Sequence, residues 1–220
     1  MCKIIKEFSS KRNKVFLVSI EDYLRVLKIH NTKEQAMYEA EVLGKLRPYV
    51  NVPKVVQVYS NKLYLEYING KLAIEYFLEC SINKVPSLAK SMISFCKAYS
   101  DLFCDYYLSD TNFRNFILVE KEDSIDLFGI DFEEKKEGAL INSAANLCAF
   151  AFLYDVCLEK KIGFYNTILE EISHLGLTQN ILDEEVLKSL HWLINRRKLE
   201  LKANEVLDGI KQNCSEQGMV

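Results

Sequence analysis

Apolar residues change their spacing at Asn69-Gly70, and this change constrains the fold more than any other feature of the chain. Before it they come in short runs: Ile4–Phe8, Val15–Val18, Tyr23–Ile29, Val52–Tyr59 and Lys62–Ile68. Runs of this length, separated by turns at Ser19–Asp22 and Asn61, predict antiparallel strands. One segment departs from the pattern. Lys33–Leu46 is rich in Ala, Glu and Leu, with Asn31 or Thr32 placed to cap it and Pro48 beyond its end. It predicts a single helix. After Gly70 the spacing is helical over Leu72–Cys80, Ser87–Phe103, 141–158, Phe164–Leu175 and Asp183–Leu207. Pro86 precedes the second of these, and Ser87 is its expected cap. The stretch 141–158 is apolar on most faces and predicts a buried helix. Trp192 is expected in the core and Arg196-Arg197-Lys198 on a solvated face. One hairpin interrupts the helices: Phe116–Val119, a charged turn at Lys121–Ser124, then Ile125–Ile130. The expected class is α+β, with a sheet and one helix over 1–68 and a mainly helical region over 69–220.

Composition removes several function classes. The chain has 220 residues, 49% hydrophobic and 27% charged, ordinary for a globular protein. A net charge of −3 gives no reason to expect a nucleic-acid partner. No apolar run approaches the ~20 residues that span a bilayer. The first residues lack a signal-peptide core, so the expected location is cytoplasmic. Seven cysteines occur with no C-x-x-C, and His30, His174 and His191 lack zinc-ligand spacing to any of them. Neither a disulfide framework nor a zinc site is expected. Oligomeric state is left open.

The chemistry concentrates around the hairpin. Asp110 and Asn115 lie in the polar loop before its first strand, and Asp131 follows its second. A hairpin brings both loops to one end, so these three are expected close together. Two carboxylates and an amide suit a hydroxyl-activating base beside a divalent cation with oxygen ligands. Lys28 lies inside the third strand between Leu27 and Ile29, and the helix carries Glu34, Glu39 and Glu41.

Asp110-x-x-x-x-Asn115, an apolar strand, then Asp131-Phe132-Glu133 resembles the catalytic and metal-binding loops of the protein-kinase-like superfamily. Leu108-Ser109-Asp110 stands where His-Arg-Asp is usual, and Asp131-Phe132-Glu133 where Asp-Phe-Gly is usual. In flavour the chain is most similar to aminoglycoside phosphotransferases and related small-molecule kinases. The resemblance, over about residues 9–155, implies a bilobal fold: an antiparallel β-sheet N-lobe with one helix (1–68) and a mainly helical C-lobe with the catalytic hairpin (69–220). It implies ATP and Mg²⁺ as cofactors. Lys28 would bind the α/β-phosphates, paired with a helix glutamate. Tyr38-Glu39-Ala40-Glu41-Val42-Leu43 resembles the family's run there, with Glu39 its first Glu and Glu41 the alternative. Glu66 to Ile68 would offer backbone groups to adenine. The phosphate-covering loop would be Ser9–Lys14, with no Gly; small Ser9 and Ser10, with Lys11, Arg12 or Lys14, would substitute. Asp131 and Asn115 would hold Mg²⁺, and Asp110 would take the proton of the acceptor hydroxyl.

The implied acceptor is a small molecule or glycan, with Asp105, Glu133, Glu134 and Glu137 available to line a pocket for a cationic one. A small atypical Ser/Thr protein kinase and a non-catalytic pseudokinase module are the alternatives. Lys28→Met is expected to weaken activity and leave folding intact.

Overall fold

A computed structural model describes residues 2–10, 12–122 and 125–216, with side chains as far as Gln212. Lys11, the Asp123-Ser124 part of the expected turn and the Cys214 side chain lie outside the described residues. The strands are β1 (Cys2–Phe8), β2 (Lys14–Ile20), β3 (Tyr23–Ile29), β4 (Val55–Tyr59), β5 (Lys62–Glu66), β6 (Lys71–Leu72), β7 (Tyr106–Tyr107), β8 (Phe116–Glu120), β9 (Ile125–Gly129) and β10 (Lys136–Glu137). The helices are α1 (Lys33–Leu46), α2 (Ala73–Glu79), α3 (Val85–Phe103), α4 (Leu140–Leu153), α5 (Leu158–Ser173), α6 (Gln179–Arg197) and α7 (Ala203–Glu216). They form two compact units, Met1–Lys71 with Ile117–Glu133, and Leu72–Phe116 with Glu134–Val220. The division expected at 68/69 differs in two respects, the first being that it falls at Lys71/Leu72. The β8–β9 hairpin goes with the first unit, because Gly129 N–H donates to the Asn51 carbonyl at 3.1 Å and extends that unit's bonding.

The first unit is built on an antiparallel sheet of order β1-β2-β3-β5-β4. Its turn between β2 and β3 places Glu21 and Asp22 at positive φ (50° and 65°), the two-residue geometry that matches strand twist. Strand β4 starts at Val55 rather than Val52, since Pro53 has no N–H to give a ladder. Helix α1 starts at Thr32, whose side chain accepts from Gln35 N while Gln35 caps in return. It buries Ala36, Val42, Leu43 and Leu46. A smaller sheet has the order β6-β8-β9. Just before β6, a Cβ on Gly70 would collide with the Leu118 carbonyl and the Ile117 side chain, so only glycine lets the two backbones approach.

The second unit is helical apart from the short β7–β10 pair. Its core includes Phe77, Tyr99, Phe113, Phe164 and Tyr165, each at most 2% exposed. Several expectations are corrected here. Helix α3 begins at Val85 with Pro86 in its first turn, where a missing N–H costs nothing, and Ser87 is not its cap. Helix α4 stops at Leu153, because Tyr154 is extended (φ −81°, ψ 150°), and α5 begins at Leu158. The stretch read as one helix over 183–207 is α6 and α7, divided where Lys198 turns left-handed (φ 54°). Trp192 is 46% exposed, not core: α6 buries Leu190, Leu193 and Ile194 and leaves Trp192 on the other side. Arg196, Arg197 and Lys198 are exposed as expected. Among the described residues no helix is long and apolar enough to cross a membrane.

Candidate active site

In the first unit, β3 and α1 bring Lys28 and Glu39 together. Lys28 points inward from a central strand and is 6% exposed. Glu39 lies on the buried stripe of α1 with Ala36, Val42 and Leu43, and is 0% exposed. Lys28 Nζ is 2.9 Å from Glu39 Oε1. Glu41, the alternative, faces solvent and pairs with Lys45 at 2.6 Å. Two more carboxylates reach the same ammonium: Asp131 Oδ1 at 2.7 Å and Glu133 Oε1 at 2.6 Å. Asp131 and Glu133, two residues apart in the segment just after β9, both reach it. His30, two residues after Lys28 and 2% exposed, places Nε2 at 3.0 Å from Glu39 Oε2. The Phe132 N–H donates to Glu39 Oε1 at 3.3 Å. From the loop between β1 and β2, Asn13 donates its side-chain amide to Glu133. Among the described residues, one group offers metal-ligand atoms within 4.8 Å of one another: His30, Glu39 and Glu133.

The electrostatics follow from this crowding. Burial works against the Lys28 charge, yet Glu39, Asp131 and Glu133 together hold its ammonium above the usual lysine pKa. Burial likewise opposes the Glu39 charge, and Lys28 with His30 outweighs it, so Glu39 sits below the usual carboxylate range. Asp131 goes the other way. Burial, reinforced by Glu39 and Glu133 and only partly offset by Lys28, pushes it up to about 6. One ammonium faces three carboxylates, an excess of two negative charges when all are ionised. A divalent cation matches that excess, and oxygen ligands suit Mg²⁺.

The second unit carries Asp110 and Asn115 on one loop. Its anchor is Phe113, 0% exposed, whose ring packs with Phe77 (5.3 Å between centroids), Tyr154 (5.1 Å) and Phe164 (5.3 Å). Helix α4 holds the loop from below: Ser143 Oγ donates to the Leu108 carbonyl and Asn146 Nδ2 to the Ser109 carbonyl, both at 3.1 Å. The Tyr154 hydroxyl donates to Asn112 Oδ1 at 3.1 Å. Asp110 is exposed, and its Oδ1 accepts the Asn112 N–H at 3.3 Å. Asn115 Nδ2 donates to the Asp110 main-chain carbonyl at 3.1 Å, a bond that uses the amide nitrogen and not Oδ1.

Other expected site residues are less committed. The Glu66 N–H donates to the Lys54 carbonyl at 2.9 Å, so this group is not free for an adenine. Ile68 is 8% exposed. Ser10 is exposed in the loop between β1 and β2. Of the acids proposed for a cationic acceptor pocket, Glu133 is bound to Lys28, while Asp105 and Glu137 are exposed. Sequence reasoning missed His30 as a partner of Glu39, although its place two residues after Lys28 puts both on one face of an extended strand. It also missed Ser143, Asn146 and Tyr154, which sit in an apolar helix and just past its end and gave no polar periodicity to notice.

Many solved structures are similar to the chain, among them two kinases. The Rio2 kinase of Chaetomium thermophilum, in an ADP/Mg²⁺-phosphoaspartate complex, matches with a TM-score of 0.54 at 12% identity, covering 98% of this chain and 72% of that one. The fold is protein-kinase-like. The kinase PK-1 of Cydia pomonella granulovirus matches with a TM-score of 0.50 at 15% identity, covering 62% of this chain and 55% of that one. No protein-family profile and no curated protein matches the sequence. The likeness is thus one of fold, shared with the Rio2 and PK-1 kinases, and it does not single out aminoglycoside phosphotransferases.

Proposed function

We propose that the protein is an ATP- and Mg²⁺-dependent phosphotransferase whose acceptor is a hydroxyl, with a serine or threonine side chain favoured over a small cationic molecule. The observation that carries this reading is the convergence of Glu39, Asp131 and Glu133 on the buried Lys28. Such a cluster with surplus negative charge has no use in packing, where a buried ion pair stabilises little or nothing. Lys28 would bind the α/β-phosphates, and Glu39, fixed by His30 and the Phe132 N–H, would hold the lysine in place. Asp131 and the Asn115 amide oxygen would hold the metal, with Glu133 as a further carboxylate ligand. Mg²⁺, when bound, would neutralise charge on the transferring phosphoryl group.

Asp110 would accept the proton of the acceptor hydroxyl as its oxygen bonds to the γ-phosphorus. The bond from that phosphorus to the β–γ bridging oxygen breaks, and ADP leaves. The protein supplies position and electrostatics rather than covalent chemistry. The protein-type acceptor is favoured because both similar structures are kinases of that kind of fold, and because Glu133, expected to line a cationic pocket, is engaged with Lys28 instead.

Isothermal titration with ATP and Mg²⁺, together with an ATP-turnover assay, tests the assignment. Asp131→Asn should lose Mg²⁺-dependent nucleotide binding. Asp110→Asn should keep it and lose turnover by about 10²–10⁴-fold, the range for a general base. Full turnover by the Asp110 variant would remove the proposed base. Absence of nucleotide binding by the unaltered protein would leave a non-catalytic module.

A further inference from the structure

Around Asp110 the second unit presents cations that have no carboxylate partner among the described residues. Arg114 follows Asp110 on the same loop and is exposed. The Arg197 guanidinium stands 5.2 Å from the centre of the Phe150 ring, and that ring is stacked with Tyr154 at 6.4 Å. The Tyr154 hydroxyl in turn donates to Asn112, two residues from Asp110. The strip continues along α6: Arg196 lies 4.6 Å from the centre of the Trp192 ring and Lys136 lies 5.3 Å from it. Each of these four cations is placed by its backbone or by an aromatic ring. The positive ends are therefore left to solvent or to a ligand. Burial pushes the Tyr154 phenol up to about 12, and Arg197, Arg114 and Asp110 all act on it, which places both guanidiniums in the electrical neighbourhood of the proposed base.

Resting on the phosphotransferase reading, we propose that the acceptor hydroxyl lies in an acidic peptide segment, whose carboxylates are held by Arg114, Arg197, Arg196 and Lys136. The cations rest on three different supports, the loop backbone, the Phe150 ring and the Trp192 ring, and so make a strip of separate points rather than a nest around one compact anion. A strip suits an extended chain with acids spaced along it. Nucleic acid is the other polyanion, but single strands are gripped by stacking bases on open aromatic faces. The Trp192 ring already has two cations over it.

The test uses the full chain and three fluorescent peptides with one central serine: one flanked by Glu and Asp, one by Lys and Arg, one by Ala and Gly. Anisotropy reads binding, and phosphate incorporation from ATP reads transfer. The acidic peptide should bind at least tenfold more tightly than the basic one at low salt, with the preference shrinking as salt screens the charges. Arg196→Glu/Arg197→Glu, two exposed positions, should abolish the preference while leaving ATP affinity as it is and lowering the melting temperature by only a few degrees through the two lost ring contacts. Equal binding of all three peptides would overturn the proposal. So would an oligoribonucleotide that binds more tightly than the acidic peptide and is weakened by the same double variant. Failure of the phosphotransferase reading is separable. It appears as no ATP binding by the unaltered protein, whereas loss of this inference alone leaves ATP binding intact and removes only the acid preference.

Discussion

Replacing Lys28 by methionine should destabilise the protein, and the structure gives the size of the effect. The substitution removes the cation that offsets Glu39, which is 0% exposed. Breaking a buried pair by deleting one partner costs about 3–5 kcal/mol, because a charge remains without compensation. Asp131 and Glu133 lose the same partner, but their side chains are 37% and 19% exposed and can turn to water. Glu39 keeps His30 at 3.0 Å and the Phe132 N–H at 3.3 Å, so the lower end, about 3 kcal/mol, is expected. At roughly 2–4 °C per kcal/mol for a chain of this length, the melting temperature should fall by about 6–12 °C. This revises the expectation from sequence that the variant folds as before.

The effect has a sign in pH. In the unaltered protein Glu39 titrates below its unfolded value, so its contribution to stability is present above about 4.3 and lost as pH falls through the folded pKa. Without Lys28, burial dominates and raises that pKa. The folded state then takes up a proton more readily than the unfolded one, and the deficit shrinks as pH falls from 7.5 toward 4.5. Urea unfolding at both pH values checks this, with Lys28→Met/Glu39→Leu as the partner variant. The double variant should regain most of the loss, since an apolar pair leaves no buried charge. A Lys28→Met protein within about 0.5 kcal/mol of the original at pH 7.5, the range of an ordinary surface substitution, would refute the reasoning.

Glu133→Gln should tighten metal-free binding of ADP, because the carboxylate that now occupies Lys28 is gone, and should weaken the Mg²⁺ dependence of ATP binding; titration with and without Mg²⁺ reads both. Phe113→Ala should cost about 3–5 kcal/mol in urea unfolding, as for other buried phenylalanines, because its ring joins three others under the Asp110 loop. In native alkylation followed by peptide mapping, exposed Cys2, Cys104 and Cys157 should label first. Cys96 should resist, since burial pushes its thiol up to about 12 and leaves almost no thiolate at pH 8.

The sequence shows the elements more readily than their joints. Short apolar runs and one Ala/Glu/Leu helix announce the strands and helix of residues 1–68 to within about three residues, and the Glu-Ala-Glu run offers two glutamates, of which the packed structure pairs Glu39 with Lys28. Helix ends are harder to read. Tyr154 and Lys198 end or divide helices through backbone angles that no apolar pattern encodes. Trp192 is misread because a large aromatic residue is assumed to seek the core, whereas two cations give its ring a place at the surface. His30 is passed over because a histidine was sought as a metal ligand near cysteine. Its partner is a carboxylate on another element, which only the packed structure reveals.

The hairpin that belongs with the first unit is encoded far downstream of that unit's five-stranded sheet. Residues 1–71 leave the ribosome first, yet Asp131 and Glu133 follow only after α2 and α3 have been made. At about 5–20 residues per second, the sheet and α1 wait several seconds for these partners during synthesis. In that interval Lys28 and Glu39 neutralise each other one for one, and no surplus charge has yet been gathered. The buried Lys28–Glu39 pair is therefore balanced by itself while the first segment forms, and the surplus that a metal would match arrives only with the last residues of the unit.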